Sequence, residues 1–281
     1  MFRTQEIQLK TPAEIRLMRE AGLVVGKTLE RLRAAVAPGV STADLDAIAE
    51  DSIRSLGGIP SFKGYHGFPA SICASVNDQV VHGIPRKSQV LEDGDLISID
   101  CGAIVDGWHG DSAITVGVGR VDPAYLKMAQ VCEDAMWAGF AAAKVGGRLT
   151  DISHAVETAV RAGGKYGIVK HYGGHGIGTE MHQDPHVLNY GKPGRGPKLR
   201  VGMALAIEPM ITMADPDTVE LEDQWTVVTV DGSRAAHTEH TFVLTEDGPW
   251  VLTALDGGVS RLGDAVTRQQ SREENEIPRI G

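Results

Sequence analysis

The segment Asp95-Leu-Ile-Ser-Ile-Asp100-Cys-Gly-Ala-Ile-Val-Asp-Gly-Trp-His-Gly-Asp111 constrains the fold more than any other stretch of this chain. Asp106-Gly107 is a strong two-residue hairpin signal, because the favoured turn needs positive φ at both central positions. With these two residues as the loop, Val105 faces Trp108, and the register places Gly102 opposite Asp111. Asp100 is two residues from Gly102 and shares its sheet face. The two carboxylates become diagonal neighbours, with Cα atoms roughly 7–8 Å apart. Unpaired acids this close repel, so the arrangement makes sense if cations neutralise them; paired metal ions about 3.5–4 Å apart use bridging carboxylates of this kind. The plainer alternative is two solvent-facing aspartates beside a turn.

Around this hairpin the pattern is α+β. Thr11, Pro12 and Glu14 read as a capping box, and Ile15, Met18, Gly22, Val25, Leu29, Leu32 and Val36 mark one helical face up to Pro38-Gly39. Ser41 with Asp44 opens a second helix, with Leu45, Ile48, Ile53 and Leu56 on its apolar face and Gly57-Gly58 at its end. Ser71 to Val76 alternates like a strand, Val80-Val81 follows, and the hairpin runs from Leu96 to Val116. Asp122-Pro123 starts a long helix to about Lys144. After Gly146-Gly147, Thr150 is expected to cap a shorter helix ending at Gly163-Gly164. Strands are expected over Met203 to Ile207, Trp225 to Val230 and His237 to Leu244.

The order of long helix, glycine turn, shorter helix and strands thus occurs twice, in halves at about 11–119 and 120–252. Either a true internal duplication or two unrelated α+β segments fits that order. Residues 1–257 are expected to form a single catalytic domain, and 258–281 a polar, mobile tail.

Composition removes several function classes. A formal net charge of -10 over 281 residues would repel a phosphate backbone, so DNA binding is not expected. No stretch approaches the ~20 apolar residues of a membrane span, and Met1 to Lys10 is polar with no apolar run behind it, which reads as cytoplasmic. Cys73, Cys101 and Cys132 form no C-x-x-C pair, so neither a disulfide framework nor a cysteine metal site is indicated. The basic stretch Lys192 to Arg200 is read as a solvated loop, with transient contact to ribosomal RNA as the alternative.

Other residues join the two aspartates. Tyr172-Gly-Gly-His175-Gly-Ile-Gly sets one imidazole among glycines that allow close backbone approach. Glu208 ends the apolar run Ala204-Leu-Ala-Ile, just before Pro209, where a charge needs a partner. Glu239 lies inside a β-type run. Four carboxylates and one imidazole, without thiolate, suit Mn, Fe, Co or Zn in an open dinuclear site.

Asp100, Asp111, His175, Glu208 and Glu239, in this order and spacing, resemble the metal ligands of the methionine aminopeptidases. The resemblance extends from about Thr11 to Leu252 and includes Ser71-Ile-Cys-Ala-Ser-Val-Asn77, Val81-His82-Gly-Ile-Pro and Glu180-Met-His182. The short segment before the catalytic pattern resembles the bacterial type I enzymes more than prolidases, which carry a larger amino-terminal domain. The resemblance implies a pita-bread fold, with helices outside a curved antiparallel sheet in two pseudo-symmetric halves. It also implies removal of the initiator methionine from nascent polypeptides, with a small second residue preferred, by water activated between two divalent ions. An X-Pro peptidase with the same metals is the rival, and a non-catalytic pita-bread binding protein the more distant one.

By the same resemblance Asp100 would hold one metal ion, Asp111 and Glu239 would bridge, and His175 and Glu208 would complete the other. Glu208 would also pass protons, with His82 near the scissile nitrogen and His182 near the carbonyl oxygen. Tyr65, Phe68, Cys73, Met181 and Trp225, with the two histidines, would line the methionine pocket. Met181 and Phe68 depart from the aromatic and the tyrosine common in bacterial members. The protein is expected to act as a monomer on nascent chain termini, without a membrane.

Overall fold

A computed structural model describes residues 7–263. Helices α1 (Pro12–Ala35) and α2 (Thr42–Ser55) come first, then strands β1 (Ile59–Pro60), β2 (Ile72–Val76), β3 (Gln79–Val81), β4 (Leu96–Val105) and β5 (Trp108–Gly117). Helices α3 (Pro123–Ala142) and α4 (Leu149–Gly163) follow. After them come β6 (Gly167–Ile168), β7 (Gly174–Gly176), β8 (Gln183–Val187), β9 (Ala204–Ile207), β10 (Met210–Thr212), β11 (Thr218–Glu220), β12 (Val227–Thr229), β13 (Ala235–His237), β14 (Glu239–Thr245), β15 (Gly248–Val251) and the short helix α5 (Val259–Leu262).

Local hydrogen bonding explains the helix starts. At α1 the Glu14 carboxylate accepts from the Thr11 N–H at 2.7 Å, and the Glu14 N–H returns to the Thr11 hydroxyl. Ser41 and Asp44 repeat the arrangement at α2. Both satisfy donors that a first helical turn leaves without partners. At α4 the N-cap residue is Arg148, not Thr150. The Asp151 carboxylate accepts from the Arg148 N–H at 2.7 Å, while the Thr150 hydroxyl bonds the N–H and C=O of Arg195. That second contact ties the basic 192–200 loop down onto the helix start.

Antiparallel pairing in the order β1-β4-β5-β14-β9-β7-β8, with β2 added on β4 and β15 on β14, makes a nine-stranded sheet. Strands before α3 form one side and strands after α4 the other. They join where Ser112 and Ala113 of β5 pair with His240 and Glu239 of β14. Helices α1 and α2 bury Val25, Leu29, Leu45 and Ile53 against Ile72, Ile97, Ile99 and Cys101. Helices α3 and α4 bury Met128, Phe140, Ile152 and Val156 against Leu205, Ile207 and Phe242. Along β4 these apolar residues alternate with Ser98 and Asp100, so a strand that gives its apolar side to the helices presents acid on the other face. This is the pita-bread arrangement.

Three further local expectations need revision. Strand β2 is buried along its whole length rather than half-exposed, because Cys73 on its second side packs with Phe62, Phe68 and Met181. The strand expected over His237 to Leu244 is two strands: β13 pairs with β10, while β14 pairs with β5, β9 and β15. The chain changes sheets at Thr238, whose N–H bonds the Pro209 C=O. The strand expected from Trp225 begins at Val227, because the Asp223 carboxylate accepts from the Trp225 and Thr226 N–H groups in a turn. At the start of the expected tail, Val259–Leu262 is helical and Arg261 pairs with Asp134; residues 264–281 of that tail lie outside the described residues. Among the described residues, no helix is long and apolar enough to cross a membrane.

Helix α1 crosses β5 at a glycine-on-glycine contact. A Cβ on Gly110 would stand 2.8 Å from the Gly22 nitrogen. Gly110 immediately precedes Asp111, so this close approach sets how deep the acidic strand sits. Gly110→Val is expected to destabilise the protein by about 1–3 kcal/mol through overpacking. Urea unfolding should show a lower midpoint at unchanged slope; an unchanged midpoint would mean that the contact is not tight.

Candidate metal centre

The β4–β5 hairpin has the register that its turn residues imply. Asp106 and Gly107 have φ of 47° and 82°, Val105 pairs with Trp108, and Gly102 pairs with Asp111. Asp100 and Asp111 therefore share one face. Glu239 opens β14 opposite Ala113, which brings its carboxylate beside Asp111. Glu208 follows the last residue of β9, and His175 is the middle residue of β7. The glycines flanking His175 let its strand press on its neighbours: a Cβ on Gly174 would lie 2.1 Å from the Ala206 carbonyl oxygen, and one on Gly176 2.2 Å from that of Asp184.

These side chains converge. His175 Nε2 is 3.5 Å from Glu208 Oε1 and 3.9 Å from Glu239 Oε1. Ligand atoms of Asp111, His175 and Glu239 lie within 4.8 Å of one another, and so do those of Glu208, His237 and Glu239. Glu239 belongs to both groups. Asp100 is partly buried beside Asp111 and falls outside both triads, although its Oδ1 is sealed from solvent. His237 is the residue that sequence reasoning missed. Its spacing two before Glu239 did not reveal this, because the chain changes sheets at Thr238 between them.

The electrostatics favour a bound cation. Asp100 Oδ1, Asp111 Oδ1, Glu239 Oε1 and His237 Nε2 are buried without hydrogen-bond partners. No Lys or Arg is among the described residues lining the cavity around the four carboxylates. Burial raises Asp111, Glu208 and Glu239 well above the usual carboxylate range and pushes Asp100 to about 7, the last opposed by His237. Leaving such groups charged and uncompensated is costly. Divalent ions would satisfy the orphaned oxygens and repulsions together, so the donor set fits the metal centre.

The imidazoles are suited to the same task. Burial lowers His175 to about 3, so it is neutral at pH 7. Its Nδ1 is 3.0 Å from the Gly176 carbonyl oxygen and must carry the proton there, which leaves the Nε2 lone pair facing Glu208 and Glu239. Burial likewise lowers His82 to about 4.

A cavity of about 250 Å³ opens over the acidic floor. All the expected pocket residues line it: Tyr65, Phe68, His82, Cys73, Met181, His182 and Trp225. The Tyr65 hydroxyl is 2.8 Å from His182 Nδ1, and the Phe68 and Trp225 rings meet edge-on at 5.0 Å. Phe62, Tyr172 and Met210 also line the cavity and were not anticipated. They arrive from loops and a short strand with no local signal of their own.

Residues 16–246 match the family model described as metallopeptidase family M24. Together with the acidic donor set, this match defines the class: a metallopeptidase dependent on divalent metal. Methionine aminopeptidase 1 of Mycobacterium tuberculosis is 56% identical over 249 residues, covering 87% of this chain and 94% of that one. The crystal structure of methionine aminopeptidase from Thermotoga maritima is similar with a TM-score of 0.87 at 42% identity, covering 89% of this chain and 100% of that one. The chain belongs to the methionine aminopeptidases of family M24. Prolidase from Pyrococcus furiosus shares the fold alone, with a TM-score of 0.70 at 22% identity over 87% of this chain and 65% of that one.

The raised carboxylates predict how metal and pH interact. Their folded pKa values exceed their unfolded ones, so in metal-free protein the stability from protonation is full below about pH 4 and is lost as pH rises through neutrality. Divalent ions take the place of those protons. Saturating Mn2+ or Co2+ is therefore expected to raise the melting temperature by about 5–10 °C at pH 8, the gain for ligand near 100-fold its Kd. The gain should be smaller at pH 5.5. Calorimetry at the two pH values checks this, and equal gains would contradict it.

Proposed function

We propose that this protein is a cytoplasmic, divalent-metal-dependent methionine aminopeptidase that releases the initiator methionine from nascent polypeptides, favouring a small second residue. The observation that carries the reading is an apolar, sulfur-bearing pocket ending directly on a cluster of carboxylates with no Lys or Arg among the described residues that line it. Its roughly 250 Å³ is below the 300–1,000 Å³ typical of drug-sized ligand pockets, and suits one amino-acid side chain.

Asp100, Asp111, His175, Glu208 and Glu239 would hold two divalent ions from the group Co, Mn, Fe and Zn. Such ions lower the pKa of water toward neutrality and polarise a carbonyl oxygen. The negative floor attracts the ammonium of a chain terminus, which an internal peptide bond lacks. Phe68, Cys73, Met181 and Trp225 offer a soft wall for a thioether side chain. Glu208, whose pKa burial raises well above the usual carboxylate range, is suited to passing protons. His82 and His182 are both held toward the neutral form by burial. Each can donate a hydrogen bond, His82 to the scissile nitrogen and His182 to the carbonyl oxygen where charge develops. The Tyr65 hydroxyl fixes the His182 ring. The two halves of the chain act as one catalytic unit, because both contribute to this floor.

Metal-reconstituted protein is expected to release methionine from Met-Ala and Met-Gly peptides at least tenfold faster than from Met-Leu peptides, with Xaa-Pro peptides as the control for prolidase activity. Equal rates on the three methionyl peptides would remove the pocket assignment. Asp111→Asn is expected to lower kcat at least 100-fold, since it deletes half of the charge shared across the β5–β14 seam. Retention of most activity would show that Asp111 is not part of the metal centre.

A further inference from the structure

His237 has no part in the ligand set above, yet its environment matches that of His175. It ends β13, is 2% exposed, and its Nε2 has no hydrogen-bond partner. The Glu208 carboxylate stands between two imidazoles: Oε1 is 3.5 Å from His175 Nε2, and Oε2 is 3.5 Å from His237 Nε2. Each imidazole belongs to a triad whose ligand atoms lie within 4.8 Å, and the two triads share Glu239.

The backbone of His237 is held rigidly. Its N–H donates to the hydroxyls of Ser98 and Thr115, and its C=O accepts from the Thr115 hydroxyl at 2.8 Å. The Ser98 and Thr115 hydroxyls are themselves 2.9 Å apart. His237 is thus pinned to the same hairpin that carries Asp100 and Asp111.

A buried nitrogen in this place can act as a hydrogen-bond donor to Glu208 or as a ligand on a shared ion. At 3.5 Å the contact lies outside the usual N–H···O range of about 2.7–3.2 Å. Two ligand atoms each about 2.1 Å from one tetrahedral ion lie roughly 3.4 Å apart. We propose that His237 Nε2 is an additional ligand of the metal centre, joining the five residues above beside Glu208, so that the centre holds two imidazoles. The proposal rests on the metal reading above. A second nitrogen donor shifts preference toward Co, Fe and Zn and away from Mn, which favours oxygen-rich sites.

The test compares the unmodified protein with H237Q, which keeps a side-chain amide able to bond Glu208 but supplies a poor metal ligand. Protein loaded with two equivalents of Co2+ is expected to show two strongly shifted imidazole N–H resonances by proton NMR, and H237Q one. Calorimetry should show affinity for the second Co2+ weakened at least tenfold in H237Q, with Mn2+ affinity falling less. One shifted resonance in the unmodified protein, or unchanged resonances and Co2+ affinity in H237Q, would overturn the assignment of His237 alone. Unmodified protein that binds no Co2+ would instead overturn the metal reading itself. H237N serves the same comparison if glutamine is not accommodated.

Discussion

Four carboxylates brought into one cavity, with no lysine or arginine among the described residues lining it, are the constraint around which the rest of the molecule is arranged. Like charges in a partly dehydrated site repel strongly, and each loses hydration on burial. The fold accepts that cost because the opposite face of the same strands is a well-filled core. Ile97, Ile99 and Cys101 lie against α1 and α2 while Asp100, between them, faces the cavity. Acid placement and core packing are two sides of one alternating strand, so neither can shift by a residue without exchanging faces.

The junction of the two halves is where this constraint acts most sharply. Only a short run of backbone pairing links β5 to β14, and side chains reinforce it. The Thr241 hydroxyl accepts from the Asp111 N–H and donates to the Asp111 C=O, while the Ser112 hydroxyl donates to the Glu239 C=O at 2.6 Å. Each such bond contributes about 0.5–1.5 kcal/mol net. They lock two acidic residues from opposite halves into fixed positions, which a shared ion needs more than it needs strength.

Above the floor the pocket is built differently. Tyr65, Phe68, Cys73, Met181 and Trp225 come from a turn, a loop, β2 and two further loops, and they meet as a small apolar cluster separate from the main cores. His82 reaches the same space with a left-handed backbone, φ 58°. Specificity therefore rests on loops held by the rigid sheet, while the charge cluster rests on the sheet itself.

The register of the β4–β5 hairpin was legible in the residues because turn chemistry and a two-residue period act between near neighbours, and the same holds for the capping boxes at Thr11 and Ser41. The five acidic and imidazole positions were legible as a set through their resemblance to a family. The cap at Arg148, the break at Thr238, the inclusion of Phe62 and Tyr172, and the approach of His237 to Glu208 were not. Those features depend on contacts between residues remote in sequence: Thr150 with Arg195, Thr238 with Pro209, His237 with Ser98 and Thr115. The sequence by itself determined which faces are acidic and which apolar, because that alternation is local. Only the tertiary structure decided which acids and imidazoles meet, because meeting depends on how two halves of a sheet are joined.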